Sequence, residues 1–318
     1  MNGLGSASAA RAGATAGSVG EALTSATDAL RAAGVDSPRL DAELMLAEAT
    51  GRDRAALAAS PESGVDAAAA RSFGAMVRRR VQREPVAYVL GRRGFRRIEL
   101  RCDPRALIPR PETELLVEVA LELDPTSVLD VGTGSGAIAL AVADELHDCE
   151  VLAVDPSADA LALARENAEA LGLEGRVTFE LGSLPSRRDF DLVLANLPYV
   201  RDDEWPGLAP EITRYEPRDA LTSGADGLDA IRSLLAALGE GCSLSADAVA
   251  LEIGAEQGRA VSALVSAAGF AEVEVRRDLA GLDRAVVGHR VVPGGTVGAE
   301  SDHSIEHGAG EGPRGAAS

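Results

Sequence analysis

The chain has 318 residues and a formal net charge of -19, from 50 acidic and 31 basic side chains. Every basic side chain is an arginine, because the sequence contains no lysine, and this excludes Schiff-base catalysis and the usual phosphate-binding P-loop. The excess of acidic residues disfavours a nucleic-acid substrate, whose phosphate groups such a surface repels.

The residue pattern divides the chain into five segments. Residues 1–20 and 291–318 are rich in glycine, alanine and serine without apolar periodicity, and we expect both tails to be disordered. Helical periodicity over residues 21–85 predicts a small N-terminal helical domain. Residues 86–110 are rich in arginine and contain alternating apolar and polar positions, which predict a β-hairpin linker. We expect a larger α/β domain over residues 111–290.

Short apolar runs alternate with helical patterns throughout this larger domain. The runs occupy residues 127–131, 150–155, 176–181, 190–196 and 248–253. Because they are almost continuously apolar and are separated by helices, we expect a mostly parallel sheet covered on both faces. Two further runs, at residues 271–276 and 284–289, predict an antiparallel edge.

The first of these strands leads directly into a glycine-rich turn formed by Gly132, Thr133, Gly134 and Gly136. A helical pattern follows at once, so free N–H groups at the helix start and the missing glycine side chains let a ligand approach closely. The next strand ends in Asp155, where a carboxylate can accept hydrogen bonds from two ribose hydroxyls. These features predict a site for an adenosine-containing cofactor, and a nicotinamide dinucleotide satisfies the same spacing.

The residues that follow the fourth strand, Asn196, Leu197, Pro198 and Tyr199, favour one kind of chemistry. They resemble the (N/D/S)-P-P-Y motif of methyltransferases that act on planar amide or amino nitrogens. An amide nitrogen is a poor nucleophile because its lone pair is delocalised, so the enzyme must hold the NH2 group by its hydrogens and aim it at the methyl donor. We expect the Asn196 side-chain oxygen and a backbone carbonyl to accept those hydrogens, while Tyr199 packs against the planar group. Leu197 replaces the first proline of the motif, but Pro198 still keeps the residue before it extended.

Several segments together resemble one family, the peptide chain release factor N5-glutamine methyltransferases (PrmC/HemK). The resemblance covers most of residues 36–290, and its most specific segment is residues 107–118, which begins Leu-Ile-Pro-Arg-Pro-Glu-Thr-Glu. The other matching segments are Asp41-Ala42-Glu43 with the following Leu44, residues 84–91, Glu211, Tyr215-Glu216-Pro217-Arg218, Ala220-Leu221, Asp226-Gly227-Leu228, Glu252-Ile253-Gly254 and Gln257-Gly258.

The resemblance implies a Rossmann-like class I methyltransferase domain that uses S-adenosyl-L-methionine. It implies methylation of the side-chain amide nitrogen (N5) of the glutamine in the Gly-Gly-Gln motif of translation release factors, with the helical domain docking this protein partner. Residues 196–199 are then expected to hold the glutamine, and Arg110, Glu112 and Thr113 to line the entrance.

The resemblance also implies a set of cofactor-binding residues. They are Gly132, Thr133, Gly134, Gly136, Asp155, Ser183 and Asn196. Ser183 stands where members of the family usually carry an acidic residue beside the adenine, and we expect it to offer a hydrogen bond there. The scattered cysteines predict no metal site. Because no apolar run is long enough to span a bilayer, we expect a cytoplasmic protein without a membrane partner. We also expect it to act as a monomer and, given its net acidity, to have no direct nucleic-acid substrate.

Four alternatives share parts of this pattern. A related enzyme would methylate a glutamine in another protein, which the departure at Leu197 makes plausible. A nucleic-acid amino-methyltransferase uses the same tetrapeptide, but the net acidity and the lack of a basic, aromatic-rich surface disfavour it. A nicotinamide oxidoreductase fits the glycine turn, and a non-catalytic module would bind the cofactor without turnover.

Overall fold

The computed structural model describes residues 15–290, apart from residues 188 and 240. Most of the two predicted tails, residues 1–14 and 291–318, lies outside this range, so their expected disorder stays a prediction. For residues 15–20 that expectation is wrong, because they form strand β1 (Thr15–Ser18) and the start of helix α1 (Val19–Ala32). The Ser18 side chain accepts a hydrogen bond from the backbone N–H of Glu21 (3.2 Å), and Glu21 accepts one from the backbone N–H of Ser18 (2.9 Å). This capping box satisfies donors that a helix start leaves free.

The N-terminal domain packs helices around one apolar core. After α1 come α2 (Pro38–Thr50), α3 (Arg54–Ala59), β2 (Gly64–Asp66) and α4 (Ala67–Val81). The core includes Leu30, Met45, Leu46 and Phe73. The predicted helical domain therefore also contains a small two-stranded sheet, in which β1 pairs with β2.

The linker begins with a short helix rather than with the hairpin. Helix α5 (Val86–Leu90) ends at Gly91, whose φ of +73° is the left-handed cap conformation that favours glycine. The predicted hairpin follows as β3 (Arg92–Phe95) and β4 (Ile98–Arg101), which pair antiparallel. Ile98 and Leu100 are buried and alternate with exposed neighbours, as the sequence pattern predicted.

The larger domain is built on a seven-stranded sheet. Its strands are β5 (Ser127–Val131), β6 (Glu150–Asp155), β7 (Val177–Leu181), β8 (Asp189–Ala195), β9 (Ser245–Glu252), β10 (Glu272–Arg277) and β11 (Asp283–His289). The strand order is β10-β11-β9-β8-β5-β6-β7. The five strands from β9 to β7 are parallel, and β11 runs antiparallel to both of its neighbours. The expected mostly parallel sheet with an antiparallel edge is confirmed.

Helices cover both faces of this sheet. They are α6 (Glu114–Leu123), α7 (Ala137–Glu145), α8 (Ala158–Leu171), α10 (Asp229–Leu238) and α11 (Gly258–Ala267). The short helix α9 (Pro210–Tyr215) lies between β8 and β9 in the chain and contains no buried residue. Apolar side chains of α6 and α7 pack in one core cluster, and those of α10 and α11 pack in another. Because parallel strands end at the same edge of a sheet, the residues that follow β5, β6, β8 and β9 converge there.

Candidate functional site

The glycine-rich turn after β5 is closed against the neighbouring strand. The N–H groups of Gly132 and Thr133 both donate to the carbonyl oxygen of Val154, at 2.9 and 3.1 Å. Gly132 has a φ of +74°, and a Cβ placed there would lie 3.2 Å from Leu197 Cδ2. A side chain at this position would therefore meet both backbone strain and the tetrapeptide, which explains the glycine.

Asp155, at the end of β6, receives hydrogen bonds from the turn. Its Oδ2 accepts from the backbone N–H of Gly134 (2.9 Å), and its Oδ1 accepts from that of Ser157 (2.8 Å). Burial raises the pKa of this carboxyl group, and the two backbone hydrogen bonds oppose that effect. A carboxylate can accept about four hydrogen bonds, so two sites remain for ribose hydroxyls.

A second carboxyl group, that of Asp130, lies beneath the turn. Its Oδ2 accepts from the Thr133 hydroxyl (2.6 Å) and from the backbone N–H of Ala139 (3.2 Å). Its Oδ1 is buried and has no hydrogen-bond partner among the described residues. The Thr133 side chain is thus directed at Asp130, and Ser183 lies exposed in the turn after β7. The acceptor capacity that remains on Asp155, beside a glycine turn, fits a cofactor with ribose hydroxyls.

The burial of Asp130 makes the stability of the free protein depend on pH. Burial raises the pKa of Asp130 from 3.8 to about 7. A folded-state pKa above the unfolded one stabilises the protein most at low pH, and this contribution is lost as the pH rises to about 7. We expect the free energy of unfolding of the wild type, relative to Asp130→Asn, to fall by up to roughly 4 kcal/mol between pH 4 and pH 8. Urea denaturation across this range measures it, and a difference independent of pH would contradict it.

The tetrapeptide after β8 is held from several sides. The side-chain nitrogen of Asn196 donates to Thr113 Oγ1 at 3.0 Å, and the Tyr199 hydroxyl donates to Glu252 Oε1 at 3.3 Å. Leu197 is buried in the same core cluster as α10. These contacts leave the Asn196 side-chain oxygen without a donor among the described residues, so it can accept a hydrogen bond from a ligand.

Two further residues support the carbonyl group of Tyr199. The Gln257 side chain donates to this oxygen at 3.0 Å and accepts from the backbone N–H of Gly254 at 2.9 Å. A Cβ at Gly227 would lie 2.2 Å from the same oxygen, and the φ of Gly227 is +75°. The Tyr199 carbonyl is thus held by the protein, whereas the carbonyls of Leu197 and Pro198 accept no hydrogen bond from the described residues.

The three residues predicted at the entrance occupy different environments. Arg110 is half-buried and pairs with Glu216, whose other oxygen accepts from the backbone N–H of Ile108 at 3.0 Å. Glu112 is exposed. Thr113, in contrast, is buried, so it does not line an exposed entrance as expected. The reason is that its hydroxyl accepts from Asn196, which places it beneath the tetrapeptide.

Glu252 also lies at the site, and the sequence pattern predicted no role for it. It ends β9 beside β8, is 2 % exposed and contacts Tyr199. Burial raises the pKa of Glu252 to about 7, against the effect of hydrogen bonds from Thr113 and Tyr199 and the charge of Arg284. An acidic residue at the end of an otherwise apolar strand is the signal that identifies such a position.

A buried ion-pair cluster joins the helical domain to the segment after the tetrapeptide. In the helical domain, Arg80 contacts Asp41 at 2.7 Å. Arg80 and Arg83 also contact Glu211 of helix α9, at 2.8 and 2.6 Å. Arg80 and Asp41 are both less than a tenth exposed. The cluster, Asp41, Arg80, Arg83 and Glu211, therefore connects the domain expected to dock a partner with the loops around Tyr199.

Two kinds of site were not found among the described residues. None of the helices there has the length and apolar composition needed to cross a membrane. No group of three or more histidine, cysteine, aspartate or glutamate side chains in that part of the chain is arranged to hold a metal ion.

Comparisons with known proteins assign both domains. The PrmC N-terminal domain model matches residues 21–91, and a methyltransferase domain model matches residues 128–215. The chain is 40% identical over 279 residues to the release factor glutamine methyltransferase of Caulobacter vibrioides, covering 84% of this chain and 95% of that protein. The proteins of the same name from Cereibacter sphaeroides and Xylella fastidiosa are 43% and 45% identical, over 84% and 79% of this chain and 96% and 92% of their own lengths.

Proposed function

Because the chain belongs to the release factor glutamine methyltransferase family, we propose that it methylates the glutamine side chain of the Gly-Gly-Gln motif in a translation release factor. It is an S-adenosylmethionine-dependent methyltransferase. The observation that best supports the substrate is the orientation of Asn196, whose nitrogen is engaged by Thr113 and whose oxygen is free to accept. An acceptor is what a glutamine NH2 group requires.

The residues around the glycine turn account for cofactor binding in this proposal. Asp155 accepts hydrogen bonds from the ribose hydroxyls, and Gly132 and Gly134 let the backbone approach the ligand closely. Asp130 supports the turn from beneath, because its carboxyl group accepts from the Thr133 hydroxyl and from the backbone N–H of Ala139. When bound, S-adenosylmethionine supplies a methyl group on a positively charged sulfur.

The residues after β8 account for substrate positioning. Asn196 Oδ1 accepts one hydrogen of the glutamine NH2 group, and the carbonyl of Leu197 or Pro198 accepts the other. Tyr199 packs against the planar amide. Holding both hydrogens fixes the plane of the amide and directs the nitrogen toward the methyl donor, so catalysis depends mainly on orientation. Leu197 serves this role through its backbone, which a leucine provides as well as a proline.

A methylation assay tests the proposal directly. The protein is incubated with S-adenosylmethionine and a purified bacterial release factor, and the tryptic peptide that contains Gly-Gly-Gln is analysed by mass spectrometry. We expect one added methyl group on the glutamine, and none when that glutamine is replaced by asparagine. An unmodified peptide, with a folded enzyme that binds the cofactor, would reject this substrate. Methylation of another protein in a cell extract would then identify a different glutamine substrate.

We propose that the protein acts as a monomer in the cytoplasm, where release factors work, and does not bind nucleic acid directly. Its formal net charge of -19 supports the last point, because phosphate groups are repelled by an acidic surface. Light scattering of the purified protein tests the oligomeric state. A filter-binding assay with RNA at low salt tests nucleic-acid binding, since that condition strengthens any such contact.

Replacement of Asp155 is expected to weaken cofactor binding more than catalysis at saturation. Losing two hydrogen bonds to an ionised carboxylate should raise the Kd for S-adenosylmethionine by about 100-fold in Asp155→Ala. Asp159→Ala, an exposed change of the same charge on α8, should leave the Kd within about twofold. Isothermal titration calorimetry measures both. Equal affinities for the two variants would contradict the role proposed for Asp155.

A further inference from the structure

A buried asparagine on helix α8 contacts the glycine-rich turn. The other buried residues of α8 are alanines and leucines, whereas Asn167, which is 1% exposed, places a polar amide among them. A buried amide costs free energy unless its oxygen and its nitrogen both find hydrogen-bond partners. Since an apolar side chain would avoid that cost, the contacts of the amide must account for its presence.

The partners of Asn167 are backbone groups of two other segments. Its side-chain oxygen accepts from the backbone N–H of Arg101, the last residue of β4, at 2.8 Å. Its side-chain nitrogen donates to the carbonyl oxygen of Ser135 at 2.9 Å and to that of Arg101 at 3.4 Å. Because a backbone N–H only donates and a backbone carbonyl only accepts, these partners determine how the amide is oriented. Its NH2 end faces Ser135, which lies between Gly134 and Gly136 in the turn.

The peptide unit between Ser135 and Gly136 is therefore held at both ends. Its carbonyl oxygen accepts from Asn167, and its N–H donates to the carbonyl oxygen of Thr133 at 2.9 Å. Gly136 has a φ of +85°, and a glycine can adopt many other backbone conformations at little cost. Hydrogen bonds to the turn thus select its conformation, and Asn167 supplies one of them from another element.

Asp155 holds the other side of the same turn. It accepts from the backbone N–H of Gly134, in the peptide unit two before the one that Asn167 holds. The peptide unit between these two carries the N–H of Ser135, which has no acceptor among the residues that the structure describes. Fixing the units on either side sets the direction of this N–H, so the turn presents it to a ligand in one defined orientation.

We propose that Asn167 is a positioning residue for cofactor binding, which keeps the peptide units around Ser135 in the conformation that receives S-adenosylmethionine. The inference rests on the assignment of the glycine-rich turn to the cofactor in the proposed function, and it adds a residue outside the turn. Asn167 does not touch the cofactor itself, because backbone groups engage both ends of its amide. It acts through the Ser135 carbonyl, with the end of β4 as its support.

Two substitutions smaller than asparagine remove the contact without a clash. The side chains introduced by Asn167→Ala and Asn167→Ser are too short to donate to Ser135. We expect the Kd for S-adenosylmethionine to rise by about 5- to 10-fold in each, the effect of losing one hydrogen bond between neutral groups. Isothermal titration calorimetry measures both values.

Leu57→Ala is the control for a general loss of stability. It opens a cavity in the apolar core of the helical domain, which lowers stability without a contact to the turn. Its Kd for S-adenosylmethionine should stay within about twofold of the wild-type value.

Hydrogen exchange in the free protein examines the turn without any ligand. The amide of Gly136 is bonded to Thr133 and should exchange slowly in the wild type. The amides of β5, at the centre of the sheet, report global unfolding and serve as the reference. Relative to them, Gly136 should exchange about 10-fold faster in Asn167→Ala, whereas Leu57→Ala should leave the ratio unchanged.

Weaker cofactor binding together with faster exchange at Gly136 supports the role of Asn167. Wild-type affinity in both Asn167 variants would overturn it, whatever the exchange at Gly136, because the contact would then serve only the fold. Weaker binding with wild-type exchange would also contradict it, since the turn would have kept its conformation. If Asp155→Ala bound the cofactor normally as well, the assignment of the turn to the cofactor would itself fail. Both measurements need only the cofactor, so neither depends on which protein is methylated.

Discussion

Replacing Asn196 with alanine is expected to lower kcat by about 10²- to 10³-fold, the range seen when one preorganised polar contact to a reacting group is removed. The glutamine would keep a backbone acceptor but would be free to rotate, and its nitrogen would no longer be directed at the methyl donor. Single-turnover methylation of a release factor, at saturating cofactor, measures the loss.

Two controls make the result specific. The Kd for S-adenosylhomocysteine should change by less than about threefold, because Asn196 is expected to contribute to orientation more than to cofactor affinity. Asn196→Asp keeps an oxygen acceptor but loses the NH2 group that contacts Thr113, so its kcat should lie between those of wild type and Asn196→Ala. If Asn196→Ala retained a nearly normal kcat, the tetrapeptide would not be the group that holds the glutamine.

Arg80→Met is expected to lower the free energy of unfolding by about 3–5 kcal/mol, the cost of breaking a buried ion pair from one side. Asp41 is buried and would be left without its cation, whereas Glu211 would still contact Arg83. The loss of stability should exceed that caused by Arg83→Met, because Asp41 and Glu211 both keep their contacts with Arg80 in that variant. Differential scanning calorimetry and urea denaturation of the full chain measure the two effects.

Removing both partners distinguishes charge burial from general damage to the fold. Asp41→Leu combined with Arg80→Met replaces the pair with apolar groups and should recover much of the stability lost in Arg80→Met. A double variant less stable than Arg80→Met would contradict this explanation. Because the cluster joins the two domains, Arg80→Met should also raise the KM for a release factor more than the Kd for the cofactor.

Local sequence patterns predicted most of the fold. Apolar runs separated by helical patterns predicted the parallel strands of the sheet, and the run at residues 127–131 matches β5 residue for residue. The error at residues 15–20 has an equally local cause. Ser18 and Glu21 have the spacing of a capping box, in which each side chain accepts a hydrogen bond from the backbone N–H of the other residue. This motif starts a helix in a segment that otherwise shows no apolar periodicity.

The arrangement beneath the tetrapeptide could not be predicted in the same way. Thr113 lies 83 positions before Asn196 in the chain, and their hydrogen bond forms only when the sheet brings α6 and β8 together. The sequence segment around Thr113 was recognised, but the family resemblance implied only that it lines the entrance. Which of its side chains points inward depends on tertiary packing, for which a linear pattern holds no signal.

The ion pairs between Arg80, Arg83 and Glu211 have a consequence for how a partner is selected. These contacts fix the separation between the helical domain and the tetrapeptide before any partner binds. A protein that binds the helical domain must present its glutamine at that separation, whereas a short peptide with the correct motif can contact only the tetrapeptide. We therefore expect the isolated Gly-Gly-Gln peptide to be a far poorer substrate than the folded release factor.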